Sequence, residues 1–239
     1  MSEFRFKQFV VRQDRTPMKV GTDGVLLGAW ASVSAADRTV LDIGTGTGLI
    51  ALMLAQRSSG AQITGIDIAP VDEARANAAA SPWAGRLSFC RCRVQDFAPA
   101  ERFDLIVSNP PFFVGSLTCP DRGRTAARHA VLLPFDELRD AAVRLLAPGG
   151  RFAVVLPEAE ARTFLTLCAP LLRLVRRTDV RTTPRRPVRR VLMEFMHDAS
   201  ALRAGLAAPE CGALVVGTGE HETYTPEYRA LTQDFYLKF

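Results

Sequence analysis

The chain has 239 residues, 48% hydrophobic and 23% charged, with a net charge of +5; that is enough apolar material for one large domain with a sizeable core. No apolar run reaches the roughly 18 residues a membrane helix needs, and the opening "MSEFRFKQFVVRQDR" is too charged for a secretory signal, so a cytoplasmic protein is expected. Five cysteines without a CxxC pair and three scattered histidines argue against a disulfide framework and a zinc centre, and no metal is expected.

Residues 1–38 form an N-terminal extension. From Thr39 onward, short apolar runs alternate with helical stretches. Thr39–Ile43 reads as a strand and "GLIALMLAQRS" as a helix. Gln62–Asp67 is a second strand, followed by a helix, "PVDEARANAAAS", with proline near its first turn. Arg86–Cys92 and "FDLIVSN" are the third and fourth strands. Cys90 and Cys92 fall on one face of the third and are expected to be packing residues. "FDELRDAAVRLLA" is a helix that "PGG" ends, Arg151–Pro157 a fifth strand, and "EAEARTFLTLCAP" a further helix. "LRLVRRTDV" and "RVLMEFM" close the pattern as two strands without a helix between them, so one of them runs antiparallel. Residues 200–239 form a less regular tail. The expected fold is α/β: a doubly wound, mostly parallel, seven-stranded, Rossmann-like sheet spanning 39–239 together with the tail.

The first strand runs into "LDIGTGTGL", with glycines at 44, 46 and 48 that let the backbone turn tightly and approach a ligand closely. Asp42, just before this loop, would repel a pyrophosphate. It suits a cationic ammonium, such as the amino-acid end of S-adenosylmethionine. Asp67 ends the second strand, where α/β folds place a ribose-binding acid. Asp96 and Phe97 follow the third strand, in position to accept from an adenine amine and to pack on its ring.

"SNPPFF" ends the fourth strand. Proline cannot continue a strand, and it pushes the preceding Asn109 toward an extended conformation. The Asn109 side-chain oxygen and the Pro110 carbonyl, held rigid by Pro111, can accept both protons of a planar amine. That favours a more tetrahedral nitrogen with its lone pair free to attack an electrophilic methyl. Phe112 can stack on the base, which must leave its own stack to reach the corner. The polar loop Val114–Ala130 comes next, with Arg128 and His129 nearest the base. Leu171–Arg190 carries +7, from eight arginines and one aspartate, and looks like a footprint for a polyanion. Arg181, Arg185, Arg186 and Arg189 are its candidate RNA contacts.

Taken together, these segments resemble the class I S-adenosylmethionine-dependent methyltransferases that carry an Asn-Pro-Pro-aromatic motif. "FKQFVVRQDRTPMKVGTDGVLLGAWA", "LDIGTGTGLIALMLAQR", "SPWAGRL", "FDLIVSNPPFF", "VVLPE" and "YTPEYRALTQDFYLKF" are similar to the bacterial branch that methylates N6 of the adenosine immediately 3′ of the anticodon in tRNA(Val). The resemblance covers nearly the whole chain. It implies that Asn109, Pro110, Pro111 and Phe112 hold the target adenine. It also implies that Asp42, Gly44, Thr45, Gly46, Gly48, Asp67, Ile68, Asp96 and Phe97 bind the cofactor, with Lys19, Gly21, Thr22 and Asp23 closing over its methionine end. A monomer acting on tRNA is expected. Phe112 stands where these enzymes often have tyrosine, so only stacking is assigned to it. Asp67 stands where glutamate is frequent and has a shorter reach. Two other readings fit the same residues: an amine methyltransferase acting on rRNA guanine or a protein glutamine, and a non-catalytic RNA-binding protein of this fold.

Overall fold

Along the central strands, neighbouring residues are buried on opposite faces, as expected when a sheet is covered on both sides. The computed structural model describes residues 2–16, 18–111 and 133–239. Within them, β1 (Glu3–Arg5) and β2 (Val10–Arg12) form a separate antiparallel hairpin, followed by α1 (Thr22–Trp30). The core then runs β3 (Thr39–Ile43), α2 (Leu49–Arg57), β4 (Gln62–Asp67), α3 (Asp72–Ala79), β5 (Leu87–Arg91) and β6 (Phe103–Ser108). It continues with α4 (Phe135–Leu145), β7 (Leu146–Pro157), α5 (Glu158–Cys168), β8 (Leu172–Arg181) and β9 (Val188–His197). The tail adds α6 (Asp198–Arg203), β10 (Glu210–Val215) and α7 (Pro226–Thr232).

The main sheet has the order β10-β8-β9-β7-β6-β3-β4-β5. The seven expected strands are all present, and β9 is the antiparallel one. The tail supplies an eighth, β10, parallel to β8. Val40, Leu105, Val107, Ala153, Val155 and Leu192 face one layer, with α1, α2, α3 and α7. Leu41, Ile106, Phe152, Val154, Val191 and Met193 face the other, with α4 and α5. Apart from Ala153, each such side chain, fully buried, stabilises the fold by roughly 1.5–3 kcal/mol.

The chain winds from β3 outward to β5, then returns to β6 on the other side of β3. Ligands of open α/β sheets bind at such a reversal, beyond the carboxyl ends of the strands. Here that places the loop after β3 beside the corner after β6. Among the described residues, no helix is long and apolar enough to cross a membrane.

Candidate active site

A cavity of about 1190 Å³ lies over this reversal. Its floor is the glycine loop. Gly44 and Gly46 have φ of 77° and 53°, and a Cβ on Gly44 would meet nothing within 4 Å, so this backbone faces open space. Gly48 also has positive φ, but it is not part of the cavity wall. A Cβ there would lie 3.3 Å from both Ala74 and Phe89, so this glycine allows close packing of α2 on its neighbours.

Asp42 lies beneath the loop, fully buried. Its Oδ2 accepts from the Thr45 hydroxyl at 2.7 Å, while Oδ1 has no partner among the described residues. Burial pushes its carboxyl up to about 7; the Thr45 hydrogen bond opposes this and the nearby Asp67 carboxylate adds to it. An unpaired buried carboxylate oxygen favours a cationic or donor group nearby. Asp67 accepts the Gly46 N–H through Oδ2 and the Ala69 N–H through Oδ1, both at 2.9 Å. These bonds tie the end of β4 to the glycine loop and leave further lone pairs for hydroxyl donors. Ile68 is 41% exposed beside it, an apolar surface suited to a flat ring.

The adenine end differs from the sequence expectation. Cys92, Arg93, Val94 and Gln95 border the cavity; Asp96 and Phe97 do not. The Phe97 ring stacks on Phe103 at 6.1 Å and packs toward the core, because the turn after β5 directs it away from the cleft. Asp96 is exposed one residue beyond the wall. Cys90 is exposed and Cys92 borders the cavity, so neither is simply a core residue.

Across from the glycine loop, the Ser108 hydroxyl donates to the Ile43 carbonyl at 2.9 Å and locks the end of β6 to that of β3. Asn109, Pro110 and Pro111 then form the facing wall. The Asn109 Oδ1 is buried and has no hydrogen-bond donor among the described residues. Phe112, Arg128 and His129 lie outside the described residues.

The N-terminal segment supplies a third wall, with Arg15, Thr16, Met18, Lys19, Val20, Gly21, Thr22 and Asp23 all bordering the cavity. The Lys19 ammonium donates to the Gln13 carbonyl, and Asp23 pairs with Arg190 at 2.8 Å. Asn77 on α3 holds this segment to the floor. Its Oδ1 accepts the Arg12 N–H, and its Nδ2 donates to the Arg12 and Thr47 carbonyls, each at 2.9 Å.

β8 runs in the same direction as β3 and β6, so the turn between β8 and β9 emerges at the cavity's edge. Thr182, Arg189 and Arg190 line the cavity there. Arg181, Arg185, Arg186 and Arg189 are exposed, with no side-chain ion pair among the described residues. Arg173, Arg176 and Arg177, farther back in β8, are engaged structurally. Arg173 pairs with Asp198 and Arg177 with Asp179, each at 2.8 Å. Arg176 lies 4.0 Å over the Trp30 ring and donates to Ser32 Oγ at 2.9 Å.

Comparison with known proteins fits this geometry. The methyltransferase small domain family matches residues 24–168. The chain is 44% identical to a tRNA1(Val) (adenine(37)-N6)-methyltransferase of Trichodesmium erythraeum, over 100% of this chain and 99% of that protein. It is 46% identical to a protein of the same name from Porphyromonas gingivalis, over 98% and 94%. A solved structure described as a predicted O-methyltransferase, from Agrobacterium tumefaciens, shares the fold at a TM-score of 0.65 and 17% identity, over 89% of this chain and 96% of that one. Identity at this level across both full lengths settles kinship, and the chain belongs to the small-domain methyltransferases, in the branch of the tRNA1(Val) (adenine(37)-N6)-methyltransferases.

Proposed function

We propose that the chain transfers a methyl group from S-adenosylmethionine to N6 of the adenosine immediately 3′ of the anticodon in tRNA(Val). The observation that carries this is Asn109: its Oδ1 is a buried acceptor without a donor among the described residues, on a corner that lines the cavity together with the glycine loop. The names of the full-length relatives supply the choice of tRNA and base. A tRNA substrate implies work in the cytoplasm, where the chain would act as a monomer.

The residues fit the cofactor. Gly44, Thr45 and Gly46 would lie against its methionine portion, with Asp42 beneath as the acid for its ammonium. Asp67 would accept from the ribose hydroxyls, and Ile68 with Val94 would flank the adenine, Asp96 reaching in from the rim. Lys19, Gly21, Thr22 and Asp23, within the 1–38 extension, would cover the methionine end. When bound, S-adenosylmethionine supplies an electrophilic methyl on a sulfonium. Asn109 Oδ1 and the Pro110 carbonyl would accept hydrogen bonds from the two N–H groups of the target amine, which frees the nitrogen lone pair from the ring to take the methyl; the methylated nitrogen then releases one proton to water. Pro111 stiffens the corner so that the acceptors need no reorganisation. Phe112, Arg128 and His129 lie outside the described residues; the roles the sequence implies for them are stacking on the base for Phe112 and contact beside it for Arg128 and His129. Arg181, Arg185, Arg186 and Arg189 meet phosphates of the tRNA and orient it without taking part in the chemistry.

The test is mass spectrometry of unmodified tRNA(Val), of rRNA and of cell protein, each incubated with the protein and labelled S-adenosylmethionine and digested to nucleosides or peptides. N6-methyladenosine is expected, and it should vanish when the adenosine 3′ of the anticodon is replaced. Label in rRNA guanine, in a protein glutamine or nowhere would overturn the assignment.

A further inference from the structure

Glu73, in the first turn of α3, borders the cavity but points its carboxylate at the N-terminal segment. Its Oε1 accepts the N–H groups of Asp14 at 2.7 Å and Arg15 at 3.1 Å. Its Oε2 accepts the Thr16 N–H at 2.9 Å and also the Thr16 hydroxyl. Three successive backbone donors and a hydroxyl thus converge on one carboxylate, a charge-assisted arrangement stronger than bonds between neutral groups. Partial burial works against the charged form, but the Thr16 hydroxyl and the three N–H groups outweigh it and hold the carboxyl below its ordinary range.

What this holds in place is part of the site. Thr16 lies over the glycine loop: a Cβ on Gly46 would come within 3.7 Å of the Thr16 methyl. Arg15, Thr16 and Met18 form the cavity wall on that side. Asn77, one helical turn along α3, fixes Arg12 just upstream. Between that anchor and Val20, whose N–H is held by Gln13 Oε1 at 2.6 Å, Glu73 is the point at which α3 holds the segment.

We infer that Glu73 is a positioning residue for the cofactor: it pins residues 14–16 as a wall over the glycine loop, and so sets cofactor affinity without touching the reacting atoms. The inference rests on reading the cavity as the cofactor site. Removing the carboxylate leaves three N–H groups and a hydroxyl without their acceptor and frees the wall, so part of the cofactor's binding energy must then order it.

Calorimetry with S-adenosylhomocysteine on the full chain tests this, using Glu73→Ala, Glu73→Gln and Thr16→Val. Glu73→Ala should weaken binding at least tenfold. Glu73→Gln keeps one oxygen acceptor and should fall between it and the parent. Thr16→Val, which removes only the hydroxyl contact, should weaken binding about threefold and keeps the test alive if the Ala variant fails to fold. KM for S-adenosylmethionine should rise, while kcat at saturating cofactor and KM for tRNA stay within twofold. Hydrogen exchange should accelerate at Asp14, Arg15 and Thr16 but not in β3 or β6. Parent-like affinity in folded Glu73→Ala, with the parent binding normally, overturns the positioning role alone. Failure of the parent to bind S-adenosylhomocysteine overturns the cofactor reading with it.

Discussion

At the floor of the cavity, Asp42 is fully buried and both Asp67 oxygens are held by backbone N–H groups, whereas at the rim Arg181, Arg185 and Arg186 stand in water. The floor works by position. Its acceptors are buried or half-buried and matched to one geometry, so each is worth roughly 1–3 kcal/mol and is little affected by salt. The rim works by charge, which reaches farther, specifies less and is screened within about 8 Å at physiological ionic strength. Substitutions should separate the two regions by the size of the effect and by its response to salt.

The largest effect belongs to Asn109→Ala. Single-turnover methyl transfer should fall about 10²- to 10³-fold, as for other buried groups that contact the reacting centre, while S-adenosylhomocysteine affinity stays within twofold. Turnover at the parent rate would remove the corner from the chemistry. Asp67→Ala should come next, with cofactor affinity down at least tenfold, about 1.4 kcal/mol, by calorimetry. A floor that tolerated this change would not be reading ribose.

Asp42 sharpens the comparison through pH. Its carboxyl sits at about 7 when folded, against 3.8 as the ordinary value. Across that window the folded, ligand-free protein holds a proton that the unfolded chain has released, so stability should fall as pH rises through it. Melts at pH 5 and pH 8 should show the decline, and Asp42→Asn should remove it. Because an ammonium favours the ionised acid, S-adenosylhomocysteine should bind more tightly at pH 8 than at pH 5 in the parent, but not in Asp42→Asn.

The smallest effect is at the rim. Replacing Arg185 and Arg186 with alanine should flatten the slope of log affinity for tRNA against log salt by about one to two units, with kcat at saturating RNA unchanged. Arg176→Ala is the control inside the same basic stretch. It should lower the melting temperature, through loss of the Trp30 and Ser32 contacts, and leave the salt slope alone. A parent-like slope in the double variant would erase the distinction between rim and strand.

That distinction marks the limit of the sequence. Eight arginines within twenty residues read as one footprint, because composition records charge and not partners. Arg176 finds Trp30, and Arg173 finds Asp198, only after β8 has been placed beside β9 and β10. The seven strands, their largely parallel run and the one antiparallel member were legible, since each depends on local alternation and on glycines and prolines at strand ends; their order across the sheet was not. The positions of the glycine loop and of Asn109 at strand ends were legible in the same way. Phe97 was misread because its neighbour in space, Phe103, is invisible to a motif that fixes position but not side-chain direction. Glu73 and Asn77 were passed over for a related reason: on an alanine-rich helix they look like ordinary solvent-facing polar residues. Their partners lie about sixty residues upstream, joined to them only by the fold.

The first residues of the chain dock against the last. Phe6, Phe9 and Val11 of the hairpin share a cluster with Phe235; the Lys7 N–H bonds the Phe235 carbonyl at 2.8 Å, and its ammonium bonds the Gln233 and Phe239 carbonyls at 2.6 and 2.8 Å. These ammonium contacts join residues 226 and 232 positions apart in sequence. The hairpin that leads into the cavity wall is thus braced by residues 233–239, so damage there can loosen a site those residues never touch.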